Sequence, residues 1–255
     1  MRSIREFYPV SAFQVQSRPM AGRPEKTALA VIIPTLDEER TIEACLDSVG
    51  NEESLEIVVV DGGSADGTRR LAAGAGATVV ESRRGRGQQL NRGAEVTTAP
   101  RLIFVHADCL LPPNWLDPLG DALDDERTSL VCYRLRTTPV NEARRTAFSK
   151  LALRVFDLRS RGARLPYGDQ GFAVRREIFE SVGGFPDQVL MEDIAFARAC
   201  RARGRISRLP LEMVTTARRL EERPVKTMLA YSFFPTLYRL GVSPTRLGEW
   251  YGDSR

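Results

Sequence analysis

Three polar clusters stand at the ends of apolar runs: Thr35-Leu36-Asp37-Glu38-Glu39, Asp61-Gly62-Gly63-Ser64-Ala65-Asp66-Gly67 and His106-Ala107-Asp108. Singly, each has an ordinary structural use. Asp37 or Ser64 can cap a helix, and the glycines can supply positive φ for a tight turn. Together they gather carboxylates that repel one another unless a cation or hydrogen-bond donors offset the charge. His106 is the single histidine of the chain, and a satisfied core residue is the alternative to a ligand contact. A further acidic pair, Glu192-Asp193, opens an expected helix, where complementing the helix dipole competes with chemistry. In "PYGDQGFAVRR", Gly168, Asp169 and Gln170 read as a turn or a contact. In "SRRGRGQQLNRG", Arg83, Arg84 and Arg86 sit in a glycine-punctuated loop, either solvated or clamping a diphosphate.

The elements that must position these residues alternate. "LAVIIP" is a short apolar run of the kind buried on both faces of a sheet, and "DEERTIEACLDSV" follows as a helix with Glu38 and Glu39 in its first turn. "LEIVVVD" is a strand, and a helix is expected from about Thr68 to Gly74. "ATVVES", "GQQLNRGAEVTT" and "RLIFVHAD" continue the alternation, which predicts a parallel sheet covered on both faces. Ligands of such sheets bind at the carboxyl ends of the strands, where the three clusters fall. Beyond Asp108 come an expected helix at "PPNWLDPLGDAL" and a strand at "SLVCYRLRT". A longer helix is expected at "EARRTAFSKLALRVFDLRSR", and a strand and short helix across "QGFAVRREIFESVGGF". Further helices are expected at "MEDIAFARACRARGR" and near Pro224 to Leu240.

The bulk numbers bound the function. A chain of 255 residues, 42% apolar and 27% charged, can bury the core of a soluble α/β protein. Its net charge of +4 comes from scattered arginines. That excludes a nucleic-acid stripe and suits an anionic substrate such as a diphosphate, or an acidic membrane surface. The four cysteines form no CxxC pair, which signals neither zinc nor disulfides and points to a reducing, cytoplasmic compartment. The first residues lack a secretory apolar core, and no stretch has the length of a membrane span. We expect a tail at 1–27, a single α/β domain at 28–222 and a C-terminal helical extension at 223–255 packed on it. The extension reads as core or dimer contact. The sharper alternative is a helix at the inner membrane face that presents Phe233, Phe234 and Trp250 to lipid.

The ordered set "VIIPTLDEE", "IVVVDGGSADGT" and "FVHAD" resembles the family 2 glycosyltransferases of the GT-A fold, over roughly Ala28 to Met213. Within them it resembles the small members, of the type associated with radical-SAM and selenium domains, that carry His-Ala-Asp where most relatives carry Asp-x-Asp. The resemblance implies a Rossmann-like, mainly parallel sheet with helices on both faces. It places the base and ribose of a nucleotide sugar on Pro34, Thr35, Glu39 and Asp61. Asp108 reaches a divalent cation, Mg²⁺ or Mn²⁺, on the donor's diphosphate. His106 replaces the first acid; imidazole is a poorer ligand for Mg²⁺, so His106, with Ala107, is assigned to the nucleotide. Arg86 is carried as a nucleotide-sugar contact, and Gly168, Asp169 and Gln170 as contacts to sugar or acceptor. The Glu192-Asp193 pair lines the acceptor pocket, with Asp193 as general base. The chain departs from the family at Gly62, where most relatives have a second acid, and lacks the Gln-x-x-Arg-Trp motif of the processive synthases.

The expected function is inverting, metal-assisted transfer of one sugar per encounter, from a UDP- or GDP-sugar to a hydroxyl or carboxylate of a small-molecule or lipid acceptor, including carotenoid types. Two alternatives remain. A nucleotidyltransferase of similar fold would carry a Gly-rich basic loop after the first strand, where this chain has "PTLDEER". A non-catalytic nucleotide-sugar-binding module would explain His106 and Gly62.

Overall fold

The run Leu29–Thr35 forms β1, which is buried along nearly its whole length because strands flank it on both sides. One neighbour is β2 (Leu55–Asp61), parallel and in a register that sets Thr35 opposite Asp61. The other is β4 (Arg101–Phe104), also parallel, while β3 (Thr78–Glu81) pairs with the outer side of β2. The connecting helices are α1 (Ile42–Val49), α2 (Thr68–Gly74) and α3 (Arg86–Glu95). Residues 29–139, 153–154, 157–158, 160 and 162–252 are described by the computed structural model.

The second half adds β5 (Cys109–Leu110), α4 (Leu116–Asp124), β6 (Thr128–Thr138), β7 (Phe172–Arg175), α5 (Arg176–Ser181) and α6 (Glu192–Arg201). It ends with β8 (Arg205–Thr216), α7 (Arg218–Glu222), α8 (Pro224–Arg239) and α9 (Pro244–Tyr251). Among the described residues the sheet has the order β3-β2-β1-β4-β7-β6-β8-β5. Strand β7 runs antiparallel to β4 and β6, β5 runs antiparallel to β8, and β6 and β8 are parallel. The sheet is mixed and mostly parallel, with helices on both faces.

A separate core covers each face. On one, Ile42, Leu46 and Leu119 pack against Ile33, Val59 and Ile103. On the other, Leu90 and Ala94 meet Ile32 and Val60, beside a cluster of Phe104, Phe172, Phe179, Phe185 and Phe196. Phe185 and Phe196 stack at 4.1 Å between ring centroids. Helix α3 comes so close to the sheet that a Cβ at Gly93 would lie 2.3 Å from Ile32 Cγ2, so a larger residue there would have to displace the Ile32 side chain or the helix.

Several local expectations change. Glu38 and Glu39 precede α1 rather than filling its first turn, which carries Glu43. Strand β4 ends at Phe104, so His106 to Asp108 form the turn into β5, closed by the Cys109 amide donating to the His106 carbonyl at 3.0 Å. His106 is therefore half-buried at a strand end, not a core histidine. Strands β5 and β8 and helix α7 have no counterpart in the sequence reading. The long helix expected at 142–161 falls mostly outside the described residues. No described helix is long and apolar enough to cross a membrane.

Candidate active site

At the carboxyl ends of β1 and β2 the two loops are laced together by carboxylates. Thr35 Oγ1 donates to Asp61 Oδ1 at 3.3 Å, as their paired register requires, and the hydroxyl of Ser64 binds the same oxygen. Asp61 Oδ2 accepts the amides of Gly63 at 3.0 Å and Ser64 at 2.9 Å, with Arg69 Nε 3.8 Å away. From the other loop, Asp37 Oδ1 accepts the Ala65 amide at 2.8 Å and Glu39 Oε2 accepts the Gly67 amide at 3.0 Å. These bonds satisfy amides that a turn would otherwise leave without partners. Asp61 is fully buried by them, and neither it nor Glu39 lines the cavity described next.

That cavity, of about 220 Å³, brings together Pro34, Thr35, Arg86, His106, Ala107, Asp108, Asp169, Glu192 and Asp193. Of the turn Gly168–Gln170, Asp169 lines the cavity, and Gly168 and Gln170 do not. The Gly168 amide donates to Asp193 Oδ2 at 2.8 Å, while Asp193 Oδ1 accepts the Ile194 amide at 2.7 Å. A Cβ on Gly168 would stand 3.1 Å from His106 Nε2 and 3.3 Å from Asp193 Cβ, so the glycine lets these two side chains close on the same turn. Gln170 is buried behind it and donates to the Tyr133 carbonyl at 2.9 Å. Met191, just before Asp193's helix, sits at φ 66°, a left-handed conformation costing about 1–2 kcal/mol for a non-glycine residue.

The charges in the cavity are unevenly matched. Glu192 is buried and pairs with Arg86, Nη1 to Oε1, at 3.1 Å. Asp169 keeps part of its surface open, yet its Oδ1 is shielded and has no hydrogen-bond partner among the described residues. Desolvation pushes the Asp169 carboxyl up to about 7; the charges of Asp193 and Asp108 add to this, and Arg86 opposes it. Ligand atoms of His106, Asp108 and Cys109 all lie within 4.8 Å of one another. Burial and the Asp108 charge hold the Cys109 thiol well above its usual range, which leaves the imidazole and the carboxylate as the available ligands. A surplus of carboxylate oxygen, one of them unpartnered, fits a hard divalent cation.

The other end of the cavity comes from residues the sequence reading did not use for it: Ile194, Ala230, Tyr231, Pro235 and Tyr251. Phe234, which the alternative reading of this segment turned toward lipid, lines the cavity and meets the Tyr251 ring edge-on at 6.2 Å. Arg218 ties the C-terminal segment to the first loop, donating to Glu38 Oε1 at 2.9 Å across 180 residues of sequence. Gln89 was also missed: its Nε2 donates to the carbonyls of Thr35 and Val60, both at 2.8 Å. It explains Gly62, whose Cβ would come within 3.1 Å of that same nitrogen. Of the three loop arginines, Arg86 is the one that lines the cavity.

Residues 30–183 match the family Glycosyl transferase family 2, and the chain belongs to that family. Over 107 residues it is 35% identical to Glycosyltransferase AglJ of Haloferax volcanii, covering 40% of this chain and 35% of that protein. It is 33% identical over 125 residues to glucosyl-3-phosphoglycerate synthase of Mycobacterium tuberculosis, covering 44% of this chain and 37% of the relative. The matched stretch thus spans little more than a third of either protein. A solved structure of that synthase with Mn²⁺, uridine-diphosphate and glucosyl-3-phosphoglycerate aligns with TM-score 0.57 at 26% identity, covering 80% of this chain and 79% of the other. The mannosyltransferase PcManGT of Pyrobaculum calidifontis, in complex with GDP-Man and Mn²⁺, aligns with TM-score 0.60 at 24% identity over 97% of this chain and 75% of its own. The fold is GT-A.

Proposed function

We propose that the protein transfers a sugar from a nucleotide-sugar donor, a UDP- or GDP-sugar, to the hydroxyl or carboxylate of an acceptor, with inversion at the anomeric carbon. The observation that carries this reading is the enclosure of Asp108, Arg86 and Asp193 in one cavity, with Asp193 fixed by backbone amides. A divalent cation, Mg²⁺ or Mn²⁺, would be held by Asp108 with His106 beside it, and when bound it supplies positive charge for the departing nucleoside diphosphate. The Mn²⁺ in the complexes of the synthase and the mannosyltransferase supports that assignment. His-Ala-Asp at this turn also supports placement among the small His-Ala-Asp members of the family.

Each oxygen of Asp193 accepts one amide and keeps a further lone pair, so the carboxylate is oriented yet able to take a proton. As a hydroxyl acceptor's oxygen bonds to the anomeric carbon, its proton passes to Asp193 and the bond from sugar to diphosphate breaks; a carboxylate acceptor attacks without that proton transfer. Arg86, held by Glu192, offers its remaining N–H groups to the diphosphate. Pro34 and Thr35 contact the nucleoside, and Asp61 and Glu39 brace the loops that carry them. Gly168 and Asp169 bound the space for sugar and acceptor, with Gln170 anchoring their turn from behind. The test is release of nucleoside diphosphate from a panel of UDP- and GDP-sugars with Mg²⁺ or Mn²⁺. Metal-dependent release from one donor, lost in Asp108→Ala, is the expected result; no release from any donor overturns the reading.

A further inference from the structure

Helix α8 has two faces of different use. Ala230, Tyr231, Phe234 and Pro235 turn inward to the cavity. Leu229 and Phe233, four residues apart on the helix, and Leu240, which caps its end, lie on the outward side and expose 52, 57 and 77% of their surfaces. Met228 on α8 and Trp250 on the adjoining α9 are exposed as well. Leaving such side chains half in water or more forgoes the gain of burying them, and an exposed apolar patch marks an interaction surface.

The surrounding charge selects the partner. Helix α8 carries exposed Lys226 and Arg239 and no carboxylate, and exposed Arg223 and Arg246 lie just before it and on α9. The exposed acids nearest in sequence, Glu222 and Glu249, belong to α7 and α9. A second copy of this chain meeting the patch about a two-fold axis would set these cations against themselves. An anionic lipid surface complements them, and indole and long basic side chains suit the headgroup layer. We propose that the outer face of α8, with Trp250, docks the protein on an anionic bilayer, in the plane of the interface and without crossing it. The same helix then walls the cavity at the lipid surface, which makes a membrane lipid the acceptor class; that last link rests on the transferase reading above.

The test is co-sedimentation of the full chain with phosphatidylglycerol–phosphatidylcholine vesicles and with phosphatidylcholine vesicles, without donor. The wild type is expected to partition onto the anionic vesicles. Leu229→Asp/Phe233→Asp and, separately, Lys226→Glu/Arg239→Glu should each lower that partition about tenfold, with unchanged Tm. No partition, or partition indifferent to both variants, overturns the docking face. So does a concentration-dependent dimer in sedimentation velocity that the aspartate variant dissociates, because the patch is then covered by a second copy. Donor binding, measured by calorimetry without lipid, reports separately on the transferase reading.

Discussion

The amide of Gly168 donates to Oδ2 of Asp193 across 2.8 Å, so the turn before β7 sets the orientation of an acid that opens α6, 25 residues later. The second Asp193 oxygen is held by the amide of the next residue, Ile194. If this carboxylate is the base, removing its charge at nearly constant size stops transfer and leaves donor binding in place, although an asparagine can accept only one of the two amides. Asp193→Asn is expected to lower kcat by roughly 10²–10⁴-fold with KM for the donor within about twofold. Steady-state kinetics and a melting curve check it; a variant that retains wild-type kcat removes Asp193 from the chemistry.

Gly168→Ala probes the same contact from the other side. Its Cβ would press on His106 Nε2 and Asp193 Cβ at 3.1 and 3.3 Å, distances that force one of the two to give way. The expected outcome is a fall in kcat of about tenfold or more, a consequence of misplacing a reacting group by a fraction of an ångström, with Tm lowered by only a few degrees. Equal losses in Tm and activity, restored together by a stabilising background, would instead mark the position as purely structural.

Arg86 and Glu192 form a pair in which the acid is almost wholly shielded. Arg86→Ala removes the ion-pair partner of a buried carboxylate and should cost roughly 3 kcal/mol in chemical denaturation, whereas Arg86→Ala/Glu192→Ala should recover much of that loss. Additive losses in the double-mutant cycle would show that the two side chains do not act as a pair.

Asp169 supplies a pH signature. Its folded pKa, pushed up to about 7 mainly by desolvation, lies above the ordinary aspartate value of 3.8. The folded state therefore binds more protons than the unfolded chain between those values. The stability tied to this residue is full below pH of about 4 and lost as pH rises through about 7. Against Asp169→Asn, the wild type should lose relative stability from pH 5 to 7.5, and added Mn²⁺ should reduce that loss. Parallel stability curves for the two proteins across this range contradict the assignment.

The parallel half of the sheet was legible because its strands are short apolar runs alternating with helical patterns, two of them ending at the acids Asp61 and Glu81, and α2 lies at Thr68–Gly74 as its pattern indicated. Strand β8 was hidden for physical reasons. "RISRLPLEMVTT" has a proline at its centre, pairs with β6 across register shifts and alternates only partly between buried and exposed residues. At the site, the acids at strand ends were legible from their types and order. The choice of Arg86 over its neighbours was not, since it depends on Glu192, more than 100 residues away. Nor was the closure of the cavity by Tyr231, Phe234 and Tyr251, whose helical spacing reads equally as core, dimer contact or surface.

The central claim is that one cavity binds a nucleotide sugar through Asp108 and a cation and uses Asp193 on it. Calorimetric titration of UDP- and GDP-sugars with Mn²⁺ into wild type, Asp108→Ala and Asp193→Asn separates the two roles. The account predicts metal-dependent binding of one donor by wild type and Asp193→Asn alike, and its loss by at least about tenfold in Asp108→Ala. Equal binding by all three proteins, or binding unaffected by removal of the metal, would contradict it.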